Sequence, residues 1–213
     1  MSAKKWFIGW LLIVIMGLGA LAGWVYAVDP YMHYHKPDTE HYFYKLNNQR
    51  SQNDGITNYF EYDALITGTS MAENFKSSEM DALFECNSIK VCYSGGSFRE
   101  INDNLKIAVD SNPNLKYVVR SLDLTMFFHD KDRFRTDLGK YPTYLYDSNP
   151  FNDVEYVWNR DVIWNTVYPM TENRIEGSSG GITGFDDYSC WQKAFTFGID
   201  TVCPDGISQV RQG

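Results

Sequence analysis

The amino-acid sequence predicts an α/β fold, in which a parallel sheet with flanking helices is preceded by one N-terminal transmembrane helix. Residues 6–28 are apolar and uncharged, which is typical of a membrane span. From residue 62 onward, short apolar runs alternate with segments of helical spacing. Because such alternation is typical of a parallel sheet covered by helices on both faces, we expect three layers in this part of the chain.

The N-terminal apolar stretch is long enough to remain as an anchor. A helix crosses the hydrocarbon core with ~20 apolar residues, whereas the core of a signal peptide has only ~7 to 15. Lys4 and Lys5 precede the stretch, and the positive-inside rule places them in the cytoplasm. We therefore expect a single-pass protein of the cell membrane whose C-terminal domain lies outside the cytoplasm. The alternative is a signal peptide cleaved after Ala27, where Val25, Tyr26 and Ala27 form an acceptable site.

The composition indicates a globular chain and argues against nucleic acid as a partner. The 213 residues carry a formal net charge of −8. Proteins bind phosphate backbones with clustered lysines and arginines, and this sequence has no such basic stripe. The 15 tyrosines and 6 tryptophans would suit a glycan or polymer ligand. We expect no cofactor.

The sequence divides into four parts: residues 1–28 (cytoplasmic tip and transmembrane signal anchor), 29–61 (aromatic juxtamembrane segment), 62–185 (α/β domain) and 186–213 (unpatterned tail). In the juxtamembrane segment, His33 and His35 would share one face of a strand, which permits a metal site. Histidines among tyrosines near a membrane more often pack or hydrogen-bond at an interface, so we expect no metal. Residues 49–57 are expected to form a polar turn.

The order of elements in the α/β domain follows from the spacing of apolar residues. We expect strands over residues 64–67, 88–93 and 115–124, helices over residues 72–84, 98–109 and 153–167, a short charged helix over residues 130–138, and a tyrosine- and proline-rich loop over residues 141–150. Asn152 would cap the helix over residues 153–167. Cys86 and Cys92 flank the second strand and would lie ~20 Å apart, which is too far for a disulfide.

Ser70 is the candidate nucleophile. It ends a Thr-Gly-Thr-Ser turn after the first strand, and a segment of helical spacing begins two residues later. Open α/β sheets bind ligands at the carboxyl ends of their strands, and the free N–H groups of a helix N-terminus favour developing negative charge. The alternative is that Ser70 or Thr69 caps the helix, since Glu73 lies three residues after Ser70 as in a capping box.

A second glycine turn, Ser94-Gly95-Gly96-Ser97, follows the next strand and opens a helix. In a parallel sheet it would lie at the same edge as Ser70. Backbone N–H groups of such a turn can bind an oxyanion, and one donor is typically worth ~3 to 4 kcal/mol in the transition state. The alternative is a tight connection between strand and helix, which glycine permits sterically.

These two turns resemble the first two sequence blocks of the SGNH/GDSL hydrolases. The resemblance is carried by Ile66-Thr67-Gly68-Thr69-Ser70 after one strand and Ser94-Gly95-Gly96 after the next, and it covers roughly residues 29–185. With its single anchor, the chain is similar to the membrane-anchored, cell-surface branch that includes enzymes associated with D-alanylation of wall polymers. The resemblance implies an SGNH-like three-layer domain, with Ser70 as nucleophile. It also implies an oxyanion hole formed by the N–H of Ser70 and that of Gly95 or Gly96.

The chain departs from the family pattern in two places. Where the family has an asparagine after the third strand, this sequence has Ser121-Leu122-Asp123, and Asp123 either takes part in the site or only fixes a turn. The family also ends in an Asp-x-x-His block whose histidine activates the serine, and here no histidine follows His129. A serine hydroxyl needs an adjacent base. Either His129 supplies it or, as we expect, the chain lacks its C-terminal part.

The resemblance therefore implies an extracytoplasmic serine esterase or acyl transferase that acts on acyl groups of cell-surface polymers and need not be active in this form. The alternative is a non-catalytic surface protein that retains the fold and binds a glycan or a partner through its aromatic loops. A third alternative is a structural anchor module whose aromatic segment docks a membrane partner.

Overall fold

The computed structural model describes residues 2–137, 140–147 and 149–191. Its helices and strands are α1 (Ala3–Val28), β1 (Phe43–Tyr44), α2 (Gln49–Tyr59), β2 (Ala64–Gly68), α3 (Ser77–Phe84), β3 (Ser88–Cys92), α4 (Phe98–Ser111), β4 (Tyr117–Arg120), α5 (Val154–Val157), α6 (Arg160–Val162), α7 (Tyr168–Ile175) and β5 (Gly181–Ile182). Short 3₁₀ turns occupy Leu124–Phe128 and Thr143–Leu145, and a π-helical turn occupies Ile163–Val167. From residue 192 onward, the predicted tail lies outside the described residues.

The central sheet has three parallel strands in the order β3–β2–β4, so that the first strand of the α/β domain lies in the middle. Ile66 of β2 pairs with Lys90 on one side and Val119 on the other. A second, two-stranded parallel sheet joins β1 to β5, with Phe43 opposite Gly181. The predicted mixed α/β class with parallel strands and one N-terminal apolar helix is confirmed.

The alternation of side chains along β2 divides the core. Leu65 and Val91 belong to the same buried cluster as Ala108 of α4. Ile66, on the opposite face of β2, packs in a second cluster with Met80 of α3. Helix α4 therefore packs on one face of β2 and helix α3 on the other, but the three short strands do not make a clear three-layer SGNH fold.

α1 is long and apolar enough to span a membrane by its length and composition. Its N-terminal two thirds are largely exposed, whereas Val25 and Val28 are fully buried against the domain. Leu21 and Trp24 pack against the same core, and Trp24 Nε1 donates to Thr171 Oγ1 at 3.0 Å. The C-terminal turns of α1 are therefore part of the folded domain.

Residues 49–57, expected to form a polar turn, are instead helical and belong to α2. The helix is polar but buried: Asn53 Nδ2 donates to the Cys92 carbonyl at 2.8 Å, and Asn53 Oδ1 accepts from the Tyr188 hydroxyl at 2.6 Å. Gln52 Nε2 donates to the carbonyls of Pro30 and Lys45. Long-range hydrogen bonds thus offset the low helix propensity of these residues.

Four other predicted elements differ in extent. The segment expected to be helical over residues 72–84 begins as a turn, and helix α3 starts only at Ser77. The third strand is confined to Tyr117–Arg120 instead of residues 115–124, and residues 130–137 form turns and coil instead of a charged helix. The helix expected over residues 153–167, with Asn152 as cap, is broken into α5, α6 and the π-helical turn and then continues as α7. Asp153, and not Asn152, occupies the N-cap position of α5.

Cys86 and Cys92 are not paired with each other, as expected from their spacing. Cys86 precedes β3 and Cys92 ends it, and both are free thiols, as is Cys190. Cys92 is buried, and burial raises the pKa of its thiol to about 12. It therefore packs as a small apolar side chain.

Candidate functional site

Ser70 lies at the carboxyl end of β2, where the chain leaves the sheet. Its neighbour Thr69 is buried, whereas Ser70 is partly exposed. The Ser70 carbonyl accepts from the N–H of Glu73 at 3.3 Å and closes a turn over residues 70–74. Because α3 begins at Ser77 with Lys76 at its N-cap, Ser70 does not cap that helix. Ser70 therefore lies in a turn, and the prediction that a helix begins directly after it is wrong.

The strand order places Ser70 at the switch point of the sheet. The connection from β2 leads to β3 on one side, and α4 then carries the chain across to β4 on the other. In doubly wound sheets, ligands bind at the carboxyl ends of the strands where the direction of winding reverses. Gly68 is essential to this geometry: its φ is +150°, and a Cβ there would lie 2.1 Å from Ser121 Oγ.

Three polar side-chain atoms beside this switch point are buried without a hydrogen-bond partner among the described residues. They are Thr67 Oγ1, Ser121 Oγ and Asp123 Oδ2. Burial also raises the pKa of the Asp123 carboxyl. Buried polar groups are nearly always paired in folded proteins, so three such atoms close to one strand end mark a place where water or a ligand would bind.

The glycine turn after β3 lies at the same edge of the sheet, as expected. The N–H of Tyr93 donates to the Gly68 carbonyl at 2.9 Å, which ties the two turns together. Gly95 has a φ of +59°, and the Gly96 N–H donates to the Tyr93 carbonyl at 2.7 Å. Gly96 is thus engaged within its own turn, and Gly95 is the remaining amide candidate for an oxyanion hole.

Gln49 connects the two turns and was missed by sequence reasoning. Its Nε2 donates to Glu73 Oε1 at 2.7 Å and to Ser189 Oγ at 2.9 Å, while its Oε1 accepts from the Ser94 N–H at 2.6 Å. Only the folding of α2 brings this side chain to the sheet edge. Burial raises the pKa of the Glu73 carboxyl, and the hydrogen bond from Gln49 opposes the shift.

A cavity of about 490 Å³ opens beside this network. Its walls include three tyrosines, several amides and both charge signs: Tyr31, Tyr141, Tyr144, Asn47, Asn48, Gln49, Arg50, Arg135, Lys140, Glu73 and Asp161. Ser94 lines the cavity and Ser70 does not. The candidate nucleophile is therefore next to the cavity, separated from its wall by the turn that carries Glu73.

Two arginines fix the wall beside the glycine turn. Arg50 Nη2 and Arg135 Nη1 both donate to the Ser94 carbonyl, at 3.0 and 2.8 Å. Arg50 also pairs with the buried Glu100 at 2.8 Å, and Arg135 with Asp137 at 2.8 Å. The cationic groups are thus neutralised in place, and the turn between Ser94 and α4 is rigidly held.

The remaining predicted site residues lie elsewhere. His129 is exposed after the 3₁₀ turn Leu124–Phe128. His33 and His35 do not share a strand: His33 Nε2 lies 3.4 Å from Asp153 Oδ1, and His35 contacts the Tyr26 and Lys36 carbonyls. Within the described ranges 2–137, 140–147 and 149–191, no cluster of three or more His, Cys, Asp or Glu side chains could hold a metal ion.

The fold and this edge define a mixed α/β chain with one apolar N-terminal helix and a candidate ligand site at the sheet switch point. No protein-family model, curated protein or solved structure matches the chain.

Proposed function

We propose that the chain is a serine esterase or acyl transferase of SGNH type, held at a membrane by α1, that acts on acyl groups of cell-surface polymers outside the cytoplasm. The observation that carries the proposal is the position of Ser70. It follows the central strand at the switch point, partly exposed, next to the unpaired polar atoms of Thr67, Ser121 and Asp123.

In this mechanism Ser70 Oγ gives its proton to the base and attacks the acyl carbonyl, the ester bond to the polymer oxygen breaks, and the polymer hydroxyl leaves with that proton. Water, or an acceptor hydroxyl in an acyl transferase, then takes the acyl group from the acyl-enzyme and restores Ser70. The N–H groups of Ser70 and Gly95 stabilise the oxyanion, and each such donor is worth ~3 to 4 kcal/mol in the transition state. Gly96 is not part of the proposed oxyanion hole, because its N–H donates to the Tyr93 carbonyl within the turn. The three-layer SGNH arrangement remains part of the proposal, supported by helices on both faces of β2 and β3.

Three residues are candidates for the base that activates Ser70: His129, Glu73 and Asp123. His129 is exposed, while Glu73 is buried at the end of the Ser70 turn and Asp123 has a buried, unpaired oxygen. Burial raises the pKa of both carboxyls, which brings each closer to that of a general base at neutral pH. Three substitutions separate them: His129→Ala, Glu73→Gln and Asp123→Asn.

The test is covalent labelling of the full chain, purified in detergent, with a serine-directed fluorophosphonate. We expect labelling that is lost in Ser70→Ala and retained in Ser94→Ala, a matched serine in the neighbouring turn. Loss of at least tenfold in one of the three base variants would identify the base, since general-base catalysis contributes ~10²- to 10⁴-fold. Labelling that persists in Ser70→Ala, or is absent from a folded sample, would contradict the proposal.

The cavity favours a second candidate function, the binding of a glycan without catalysis. Tyr31, Tyr141 and Tyr144 line it together with amide side chains, and Ser70 does not. Aromatic and amide groups suit a polyhydroxylated ligand. Titration with soluble oligosaccharides of cell-surface polymers would then show binding that is lost in Tyr144→Ala and unchanged in Ser70→Ala, together with no fluorophosphonate labelling.

A further inference from the structure

Lys90 is a fully buried lysine in the middle of β3. It is 0% exposed and lies opposite Ile66 of the central strand in the register of the sheet. A lysine is almost never fully buried unless its ammonium is paired, because burial removes the charge from water. Burial accordingly lowers the pKa of the Lys90 ammonium. All five residues of β3 are buried, so the partners of this charge have to come from the fold.

The partners are two backbone carbonyls of the chain that follows Ser70. Lys90 Nζ donates to the Glu73 carbonyl at 2.6 Å and to the Phe75 carbonyl at 3.0 Å. Both carbonyls belong to residues 69–76, which connect β2 to α3 and which we call the Ser70 segment. Hydrogen bonds from an ionised donor are roughly twice as strong as neutral ones. Lys90 therefore ties the Ser70 segment to β3.

The internal hydrogen bonds of the Ser70 segment are all short in range. Ala72 N–H donates to the Thr69 carbonyl at 3.1 Å, Glu73 N–H to the Ser70 carbonyl at 3.3 Å, and Phe75 N–H to the Ala72 carbonyl at 3.1 Å. Each of them closes a single turn, and the segment does not form a helix. Because single turns lack the cooperativity of a longer helix, the shape of the segment depends on contacts from outside it.

Trp191 makes a contact at the other end of the segment. Its Nε1 donates to the Ser70 carbonyl at 3.1 Å, but Trp191 is 55% exposed, so water competes for this hydrogen bond. The ammonium of Lys90 is shielded from water, and hydrogen bonds in such surroundings are stronger. Of these two side chains, Lys90 is therefore the one that holds the segment more firmly.

We propose that Lys90 is a positioning residue of the candidate site, whose two hydrogen bonds fix the Ser70 segment against β3 and thereby keep the Ser70 hydroxyl in its reactive position. An apolar side chain at this position would leave both carbonyls without this donor. Reaction rates are sensitive to such support, since a misplacement of ~1 Å can cost ~100-fold. The role in acyl transfer rests on the proposed function, whereas the contact with the segment does not depend on it.

The first test is the kinetics of fluorophosphonate labelling in Lys90→Met, measured with the full chain in detergent. Methionine occupies similar space and has no donor. We expect the maximal labelling rate constant, kinact, to fall at least about tenfold, while the half-saturating concentration, KI, changes less than about twofold, because positioning affects reaction more than binding. Lys90→Arg keeps cationic donors and should recover part of the loss.

The matched control is Lys116→Met. Lys116 is an exposed lysine that pairs with Asp63 at 2.8 Å, at the opposite end of the sheet from Ser70. This variant should be labelled at the rate of the unmodified chain. An equal loss in Lys90→Met and Lys116→Met would overturn the positioning role, since it would show that any lost lysine has the same effect.

The second test is hydrogen exchange measured by mass spectrometry, which reports on the segment itself. In Lys90→Met, exchange of the amides of residues 70–75 should rise at least about tenfold, while that of α4 stays unchanged, because local opening does not require unfolding of the domain. Equal increases in both would indicate a general loss of stability and overturn the positioning role. If Lys90→Met does not fold, the unmodified chain decides: slow exchange of these amides supports the role, and exchange as fast as in an unstructured peptide overturns it.

The two proposals fail in different ways. Absence of labelling from the folded, unmodified chain contradicts the proposed function, and hydrogen exchange then still tests the contact between Lys90 and the Ser70 segment. Normal labelling of the unmodified chain with the same kinact in Lys90→Met overturns the positioning role and leaves the proposed function intact.

Discussion

The Tyr156 hydroxyl donates to the carboxylate of Asp29 at 2.8 Å and joins two residues that are 127 positions apart. Asp29 follows the last residue of α1 in a left-handed conformation, with φ of 40°, and is 1% exposed. Its carboxylate also accepts from the backbone N–H groups of His33, Tyr34 and His35, at 3.0, 2.8 and 3.1 Å. One buried carboxylate thus connects the apolar helix, the aromatic segment after it and α5.

Replacing Asp29 by alanine is expected to destabilise the chain strongly. The substitution leaves four donors without their acceptor, and each unpaired buried group costs ~1 to 3 kcal/mol. Tyr156→Phe removes one of these bonds, together with the hydrogen bond that the hydroxyl accepts from the Tyr31 N–H at 3.2 Å, and is expected to cost ~1 to 3 kcal/mol, less than Asp29→Ala. Denaturant unfolding of both variants in detergent measures the difference, and equal losses would contradict the role assigned to the carboxylate.

His35 is expected to make stability depend on pH. Its Nδ1 and Nε2 each lie 2.8 Å from a carbonyl oxygen, of Lys36 and Tyr26, and carbonyls only accept. Burial lowers the pKa of His35, but these two hydrogen bonds outweigh it and raise the pKa above its usual value. Because the folded pKa is raised, the stabilisation is complete below the unfolded value of ~6.5 and is lost as pH rises through the folded pKa.

The unfolding midpoint of the unmodified chain should therefore fall between about pH 6 and pH 9 by more than that of His35→Ala. His129→Ala is the control substitution, because it also removes a histidine but at an exposed position. An unaltered slope in His35→Ala would show that His35 is not charged in the folded state.

Asp54 is expected to make stability depend on pH in a lower pH range than His35 does. Burial raises the pKa of its carboxyl from 3.8 to about 7, although Asn104 Nδ2 donates to it at 3.0 Å. A carboxyl with a raised folded pKa binds a proton on folding, so stability falls between pH 4 and 7 by at most ~1.4 kcal/mol per pH unit. Asp54→Asn keeps the shape without the charge and should flatten this decline and stabilise the chain at pH 8. A decline identical to that of the unmodified chain would contradict the assignment.

Gly55 is expected to tolerate no larger side chain. A Cβ at this position of α2 would lie 2.5 Å from the Cβ of Met32 and from the Tyr31 carbonyl oxygen. Gly55→Ala should therefore cost ~1 to 3 kcal/mol of unfolding free energy, despite the higher helix propensity of alanine. Gly184→Ala, whose Cβ would meet nothing within 4 Å, should be close to neutral. Stabilisation by Gly55→Ala would show that α2 does not pack against this segment.

The elements that the sequence predicted correctly are those whose pattern is local. The apolar runs of β2 and β3 and the amphipathic helix α4 have boundaries within a few residues of those expected. The position of Ser70 at the end of β2 follows from the same runs. α1 is identified by length and composition alone.

The elements that it missed depend on partners far along the chain. α2 is helical because Gln52 and Asn53 form hydrogen bonds with buried groups in distant segments. Its sequence has no helical periodicity of apolar residues from which the helix could be predicted. Gln49 and Glu73 meet at the candidate site for the same reason. The helical segment of residues 154–175 is interrupted at Trp158 and Asn159 and extends beyond its predicted end, and its π-helical turn Ile163–Val167 contacts α1.

The sequence by itself thus determined the apolar helix, the parallel strands and the turn that carries Ser70, because hydrophobic periodicity and glycine turns act over a few residues. Only the tertiary structure decided that α2 closes the candidate site, that Asp29 locks α1 to the domain and that Trp158 lies beside Leu18. These hydrogen bonds join residues more than 20 positions apart in the chain, and the stabilisation that they supply exists only once the chain is folded.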